Sequence, residues 1–336
     1  MHDASTIMAG WVNAALDGLV RQGLDRAALT HGLRGFEDGS AARDSRVDVA
    51  SVRRLWRRAA SLNTDPLLGF KVGAGLPIQA SNVITILMAH SATVGAGLDM
   101  LLRYQQLVSN SGGYRATREG DALRLTYVPT RDPVEIHRLQ VESVLATLSA
   151  NRPAASGAGV RPRQVILMNG APAPRETYEA FLKLPVGFGT NAGLVFALAD
   201  LERRVPGADP RLLELNAAYA EGLLRDQNRS ETLCAQVQAV IHRTGFRTAS
   251  APAAAAELGL SVRSLQRRLN EAGVSFSILR DEARMREAMI LLTESRLSLA
   301  ELALRLGYSE ESAFSRAVKA WWGAGPRELR RGSETT

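Results

Sequence analysis

Two stretches near the end of this 336-residue chain repeat one another, and the repeat limits what the region can fold into. They are LGLSVRSLQRRLNEAG over residues 258–273 and LGYSEESAFSRAVKAWWG over residues 306–323. Each is a short apolar turn around one glycine followed by a helical run. Two helices joined by a tight turn need a small residue where they touch, a glycine in the turn, and apolar positions on the second helix that pack back on the first. In the first unit these are Ala255, Gly259, and the pair Leu265 and Leu269; in the second they are Ala303, Gly307, and the pair Phe314 and Val318. The glycines lie 48 apart and the apolar pairs 49 apart, so the second unit carries one extra residue between turn and helix. A 48-residue register throughout would bury Ala313 and turn Phe314 to solvent.

With that register the outward positions are fixed. The early exposed turns of a recognition helix reach base edges in the major groove. In the first unit (about 252–270) these are Arg263, Gln266 and Arg267, with Ser261 as N-cap, Ser264 beside it and Arg268 at the flank, for the DNA backbone. In the second unit (about 300–320) they are Ser312, Ser315 and Arg316, with Lys319 one turn on and facing phosphate. Arginine forks onto guanine O6/N7 and glutamine onto adenine N6/N7. Glu310 and Glu311 suit a helix N-terminus but repel phosphate, so the first unit is expected to read sequence strongly and the second mainly through Arg316. A single helix-turn-helix shape also occurs as a plain packing unit, and an arginine-rich helix as a solvated face. Two copies with matching turn, core and arginine positions argue for the DNA reading.

Bulk charge permits that reading without establishing it. The formal net charge is +7 and the pI about 10.0, but all except three of the 41 basic residues are arginine and the excess is spread along the chain. An apolar fraction of 46% fits a globular protein. The longest apolar runs, from Val83 and from Leu194, fall short of the roughly 20 residues that span a bilayer. The N-terminal stretch reads as an amphipathic helix rather than a signal peptide, so a cytoplasmic location with no membrane partner is expected. The lone cysteine, Cys234, forms no internal disulfide and reads as a buried structural thiol. Five scattered histidines give no metal-ligand cluster, and no cofactor is expected.

Along the chain, periodicity predicts helices over 5–21, 52–62, 97–108, 133–150, 175–182 and 210–224. It predicts a buried helix or strand over 82–89, a hairpin turning at Gly120-Asp121, and buried strands from Arg163 and Gly193. The stretch NRPAASGAGVRP is a loop by composition. The polar run RDQNRSE, 225–231, reads as a linker or solvated helix end. The expected architecture is an α+β domain over 1–228 followed by an all-α double helix-turn-helix domain over 229–336.

Residues 232–331 resemble the double helix-turn-helix domain of the AraC/XylS family of bacterial transcription regulators. The carriers are LGLSVRSLQRRLNEAGVSF, ILRDEARMREAMILL and SLAELALRLGYSEESAFSRAVKAWWGAGPREL. The resemblance implies a long central helix, here 276–292, holding two units that enter successive major grooves of double-stranded DNA. Such paired units meet one face of the duplex about 34 Å apart. Ala317 stands where the family often has a bulky residue, and the closing motif reads GPRELR. More loosely, the first 225 residues resemble the effector-binding domain of one branch, labelled arabinose-binding, through LPVGFGTNAGLVFALADLERRVPGADPRLLELN at 184–216. No sugar follows from that label. The resemblance implies a regulator, commonly an activator acting with RNA polymerase, controlled by a small molecule and able to pair as a homodimer.

The effector domain offers polar groups near apolar segments between Leu76 and Tyr127, namely His90, Tyr104, Tyr114 and Tyr127, with Glu135, His137 and Arg138 beyond. A tyrosine or histidine on an apolar face is more often a core residue, so no effector site is assigned. The helices over 5–21 and 210–224 are candidates for a dimer interface. Two alternatives remain open: a protein-interaction module or an enzyme in place of the effector domain. Against the enzyme, the chain has no GxSxG elbow and no GxxxxGK[ST] loop, and GFG with NAG is too sparse for a dinucleotide fingerprint.

Overall fold

The computed structural model describes residues 5–33, 35–36, 39–41, 45–76, 83–129, 136–149, 160–295, 297–322 and 324–333. The chain divides into two compact units, Asp3–Leu224 and Arg225–Thr336. The first begins with β1 (Thr6–Met8), α1 (Ala9–Arg21), α2 (Arg26–Thr30), β2 (Arg46–Asp48), α3 (Val49–Leu62) and α4 (Leu68–Ala74). Then come α5 (Val83–His90), α6 (Val94–Tyr104), a 3-10 turn (Gln105–Leu107), β3 (Gly112–Glu119), β4 (Ala122–Pro129) and α7 (Arg138–Ser149). β5 (Gln164–Met168), α8 (Arg175–Leu182), β6 (Val186–Gly189), β7 (Gly193–Ala197) and α9 (Leu198–Leu201) complete it, leading into α10 (Pro210–Thr244).

β1 and β2 form a small antiparallel ribbon, and the other strands form one sheet in the order β3-β4-β7-β5-β6. Only β5 and β6 run parallel, joined through α8. One face of the sheet is a core wall: Leu125, Leu194, Val165, Leu167 and Val186 are buried, and α7 packs against β5 and β7. A second cluster joins Trp11, Leu16 and Leu19 of α1 to Leu55 and Trp56 of α3. Helices α4 and α7 meet closely because Gly73 has no side chain: a Cβ there would lie 2.2 Å from the Ser143 carbonyl oxygen.

Several expectations need correction. The first helix starts at Ala9, not residue 5, because Thr6–Met8 pairs with β2. Its apolar side is consumed by the core, which removes α1 as a free dimer face. The glycine-rich strand β6 was missed because two of its four residues lack side chains and no alternation is visible. The segment from Val83 is a helix, with Ile86 still 41% exposed, so it is not apolar-buried on every face. The predicted start of the helix before Ala150 at Pro133, the Asn82 end of the apolar run, and most of the NRPAASGAGVRP loop lie outside the described residues.

The run RDQNRSE is neither linker nor helix end; it lies in the middle of α10. Residues 225–230 are exposed or half-buried, and Arg229 stands 3.9 Å from Asp226 one turn away. Polar composition there signals solvent on all sides of a helix, not a break in it. The division between the units therefore falls within a continuous helix. Ala220 belongs to the core of the first unit, and Val237 and Ile241 to that of the second.

The second unit continues with α11 (Ala251–Glu257), α12 (Val262–Glu271), α13 (Phe276–Glu294), α14 (Leu299–Arg305), α15 (Glu311–Trp322) and α16 (Pro326–Ser333). One apolar cluster takes residues from α10 through α15, including Leu265, Leu269, Leu279, Leu292, Phe314 and Val318. Among the described residues, no helix is long and apolar enough to cross a membrane.

Candidate nucleic-acid interface

Helices α11 and α12 are joined by the same backbone hydrogen bonds as α14 and α15. In the first turn the Leu260 amide donates to the Ala255 carbonyl at 2.8 Å and the Gly259 amide to Ala256 at 3.2 Å. In the second, the Tyr308 amide donates to Ala303 at 2.8 Å and the Gly307 amide to Leu304 at 3.0 Å. Both glycines take positive φ, 65° and 79°, the left-handed region that ends a helix without a Cβ penalty. After the turn the offset grows by one. The Leu265 amide donates to the Ser261 carbonyl at 2.9 Å, and the Phe314 amide donates to that of Glu310 at 3.3 Å. The register is thus 48 through the turns and 49 along the second helices, with Leu265, Leu269, Phe314 and Val318 all buried.

Helix α12 presents its polar residues outward. Arg263, Gln266, Arg267 and Arg268 are exposed, and Ser264 is half-buried. Ser261 caps the helix, its hydroxyl accepting from the Ser264 amide at 3.1 Å and donating to the Ser264 hydroxyl at 2.8 Å. Arg267 reaches Glu271 at 2.6 Å, with both side chains more than half exposed. A pair this solvated holds the guanidinium by roughly 0–1 kcal/mol, so it gives way readily to a stronger acceptor. Val262, 36% exposed in the first turn, is an apolar group on this face that sequence reasoning missed.

Helix α15 shows a narrower exposed face. Ser312, Arg316 and Lys319 are exposed, while Ser315 and Ala317 are half-buried; α13 and α16 pack against this helix. Ser315 therefore sits at the edge of the face. The Ser312 hydroxyl donates to Glu310 at 3.0 Å, and Glu311 occupies the acidic first turn. α12 has no acid in its first turn. The second unit is instead anchored at its entry: Ser298 and Glu301 form a reciprocal capping box on α14. The Ser298 hydroxyl and amide hold the Glu301 carboxyl below its usual range.

Sequence reasoning treated the central helix as a spacer and missed its arginines. At about 1.5 Å per residue, α13 spans about 28 Å between the two units. From it, the Arg284 Nε donates to the Leu306 carbonyl at 3.0 Å, beside the second turn, and Nη2 to the Phe246 carbonyl at 3.0 Å. Its guanidinium lies 5.3 Å from the Tyr308 ring centre, and its side chain is 14% exposed. Arg280 reaches the Ala249 carbonyl at 3.5 Å, just before α11. The charged residues that fix the units are thus on the inner side of α13, where a helical pattern read for apolar spacing gives no signal.

In the first unit, Tyr104, Tyr114, Tyr127, His137 and Arg138 have partners within the protein. The Tyr104 hydroxyl donates to Glu221 at 3.2 Å and the Tyr114 hydroxyl to the Val144 carbonyl at 3.3 Å. Tyr114 and Tyr127 pack edge to face at 5.4 Å, and burial raises both phenols. His90 is half-buried, and the His137 Nδ1 accepts from the Leu139 amide at 3.3 Å. Arg138 pairs with Glu142, whose burial pushes its carboxyl up to about 7 against the pull of that arginine. Glu135 lies outside the described residues. Cys234 is buried and in no disulfide. Among the described residues no group of three His, Cys, Asp or Glu could hold a metal ion.

Comparison with known proteins agrees with this geometry. A family model described as the arabinose-binding domain of AraC transcription regulator, N-terminal, matches residues 23–205, more than half of the chain. The chain belongs to the AraC family of transcription regulators. A helix-turn-helix domain model matches residues 254–332 of the regulator. Its relatives include the ornithine utilization regulator of Pseudomonas aeruginosa, 24% identical over 97% of this chain and 97% of that protein. The transcriptional regulator VirS of Mycobacterium tuberculosis is 26% identical over 83% of this chain and 82% of that protein. A crystal structure of the transcriptional regulator CdpR from P. aeruginosa is 21% identical, covering 82% of this chain and 90% of that one at a TM-score of 0.41. The regulator is accordingly a DNA-binding transcription regulator, an α+β domain followed by an all-helical double helix-turn-helix region.

Proposed function

We propose that the regulator reads two successive major grooves of double-stranded DNA with α12 and α15. Arg263, Gln266 and Arg267 contact base edges from the first helix, and Ser312, Ser315 and Arg316 from the second. Ser261, Ser264, Arg268 and Lys319 engage the phosphate backbone at the flanks. Val262 supplies methyl contact to thymine. The observation that carries this reading is the 49-residue register, which sets an exposed arginine (Arg267, Arg316) at the same place on each second helix. Arginine forking onto guanine discriminates bases by roughly 1–3 kcal/mol per contact.

A small molecule bound in the first unit is the proposed effector, and activation through RNA polymerase the proposed outcome. Membership of a family whose N-terminal model is named for ligand binding supports the effector. The shift it produces is limited by its differential affinity for the inactive and DNA-competent states. The exposed face of α10 carrying Leu212, Leu215 and Tyr219 is the proposed homodimer contact, since three large apolar groups at helical spacing lie open to solvent there.

The deciding experiment selects sites from randomised duplex DNA with the full chain, then repeats the selection with Arg267→Ala and Arg316→Ala. Two boxes about one helical turn, roughly 34 Å, apart, each degraded by its own substitution, are expected. Salt-sensitive binding with no sequence preference, unmoved by either change, overturns the reading. Thermal shift and DNA affinity of the full chain against a metabolite panel test effector control. L-ornithine belongs in the panel because the relative named for ornithine utilization matches over 97% of its length.

A further inference from the structure

The motif GFGTNAG, too sparse for a nucleotide fingerprint, has a different consequence in three dimensions. It supplies Gly187, Gly189 and Gly193 to the open face of the five-stranded sheet, the side away from its core. Cross-strand pairing sets one row over that face as Arg115, Thr126, Gly193, Ile166 and Gly187. The next row is Thr117, Arg124, Val195 and Gln164. Directly paired residues share a face, so glycine flanks Ile166 on both neighbouring strands and the surface sinks there. A Cβ on Gly187 would come 3.0 Å from the Gln164 Nε2, and one on Gly189 would come 3.3 Å from the Ile166 Cγ2.

The depression is a groove of about 390 Å³ lined by Arg124, Thr126, Gln164, Ile166, Phe188 and Asn191, among others. That volume falls in the range of roughly 300–1,000 Å³ typical of small-ligand sites. Ile166 is only 7% exposed although it lies on the open face, as a floor residue would be. Phe188 borders the groove through its backbone: paired with Leu167, it sends its side chain to the other face of the sheet, where the Arg175 guanidinium lies 5.7 Å from its ring centre. The charge of the face is one-sided. Arg115 and Arg124 stand on β3 and β4, and the Arg124 Nε donates to Glu119 at 2.7 Å. The outward positions of β5, β6 and β7 carry no charged side chain: Gln164, Ile166, Met168, the three glycines, Val195 and Ala197. Two cations against one carboxylate favour an anionic ligand.

We propose that this groove binds a small carboxylate with a short apolar body. The carboxylate lies toward Arg124 in the field of Arg115, and the body rests on Ile166 in the hollow left by Gly187 and Gly189. Gln164, Thr126 and Asn191 supply the polar contacts that orient it. The groove rests on the effector reading only for its consequence, because binding here is the event that would shift DNA affinity.

The test uses the full chain carrying ¹³C-methyl isoleucine, with the Ile166 δ-methyl resonance assigned through Ile166→Val. Benzoate is the probe and benzamide its neutral isostere, at constant ionic strength. A saturable shift of Ile166 with benzoate, about tenfold weaker with benzamide and with Arg124→Gln, is the expected result. Gly187→Leu, which fills the floor, should abolish it; Arg124→Gln, at the surface, keeps the test open if that variant does not fold. An unmoved Ile166, or equal response to benzoate and benzamide, overturns the proposal. DNA affinity of the same samples separates the two claims. Saturable binding in the groove with DNA affinity unchanged keeps the groove and overturns control through it. An effector response of DNA binding that survives Gly187→Leu keeps effector control and overturns this site.

Discussion

The two helix-turn-helix units share a skeleton and differ in their surfaces. Both turns make the same hydrogen bonds at a 48-residue offset, and both second helices bury an apolar pair at 49. Yet α12 shows three exposed arginines and a glutamine with no acid in its first turn. α15 shows Arg316 and Lys319 behind Glu310 and Glu311. The turns also differ in surroundings. A Cβ on Gly259 would meet nothing within 4 Å, whereas one on Gly307 would come 3.0 Å from the backbone of Phe246 and Arg247. The first unit is open at its turn and rich in exposed arginines; the second is packed at its turn and sparing with them. Packing and surface chemistry are therefore separable properties of one motif, since only the apolar pair and the turn need to be kept for the shape.

Substitutions in the core should erase this contrast. Phe314→Ala is expected to cost about 3–5 kcal/mol and Leu265→Ala about 2–5 kcal/mol in urea denaturation. Because both side chains lie in one apolar cluster, each should lower a single common transition of the C-terminal unit, 225–336. Separate transitions for the two motifs would show two cores instead of one.

The turn glycines should sharpen the contrast. Gly259→Ala meets only the left-handed backbone penalty, about 1–2 kcal/mol. Gly307→Ala adds contact with fixed backbone and should reach about 2–4 kcal/mol. Equal losses in denaturation midpoint would mean that the packing around Gly307 yields freely. At the surface, Arg267→Ala and Arg316→Ala should each weaken binding to the selected site by about 1–3 kcal/mol, read by fluorescence anisotropy. The first should also relax base preference over more of its box, because Arg263 and Gln266 share that helix. An equal spread of lost preference would remove the difference in reading between the units.

Smaller effects belong to the helix ends. Ser261→Ala should destabilise the C-terminal unit, 225–336, by about 1 kcal/mol through loss of the cap on α12. Glu271→Gln should leave stability nearly unchanged, within about 1 kcal/mol, and slightly tighten DNA binding by releasing Arg267. A large loss of stability from Glu271→Gln would show that the exposed pair orders α12 rather than merely resting on it.

Much of the second unit was legible because its constraints are local. Gly259 and Gly307 announce turns by their position after a helical run, and Leu265, Leu269, Phe314 and Val318 announce the buried side by their spacing. The extra residue in the second unit could be read because a one-residue slip turns Phe314 to solvent. Ser315, outward by spacing within α15, is half-buried in the structure, where α13 and α16 pack on that helix. In the first unit the hairpin at Gly120-Asp121 was plain, while β6 was not, because strand alternation needs side chains to be seen. The polar run 225–231 misled for the opposite reason, since a helix that meets solvent all round looks like a linker.

What the sequence determined by itself was the set of periodic and turn-bound features: a mixed first region, a helical second one, and two copies of one motif with their outward arginines. Each depends on residues within a few turns of one another, so chain order carries it. Only the tertiary structure decided the rest. It carried α10 unbroken through the polar run, set Arg284 against the Leu306 and Phe246 carbonyls, and brought Gly187 and Gly189 of β6 beside Ile166 of β5 in one groove. Those facts depend on which distant segments lie side by side, and that is settled by how the whole chain buries its apolar surface.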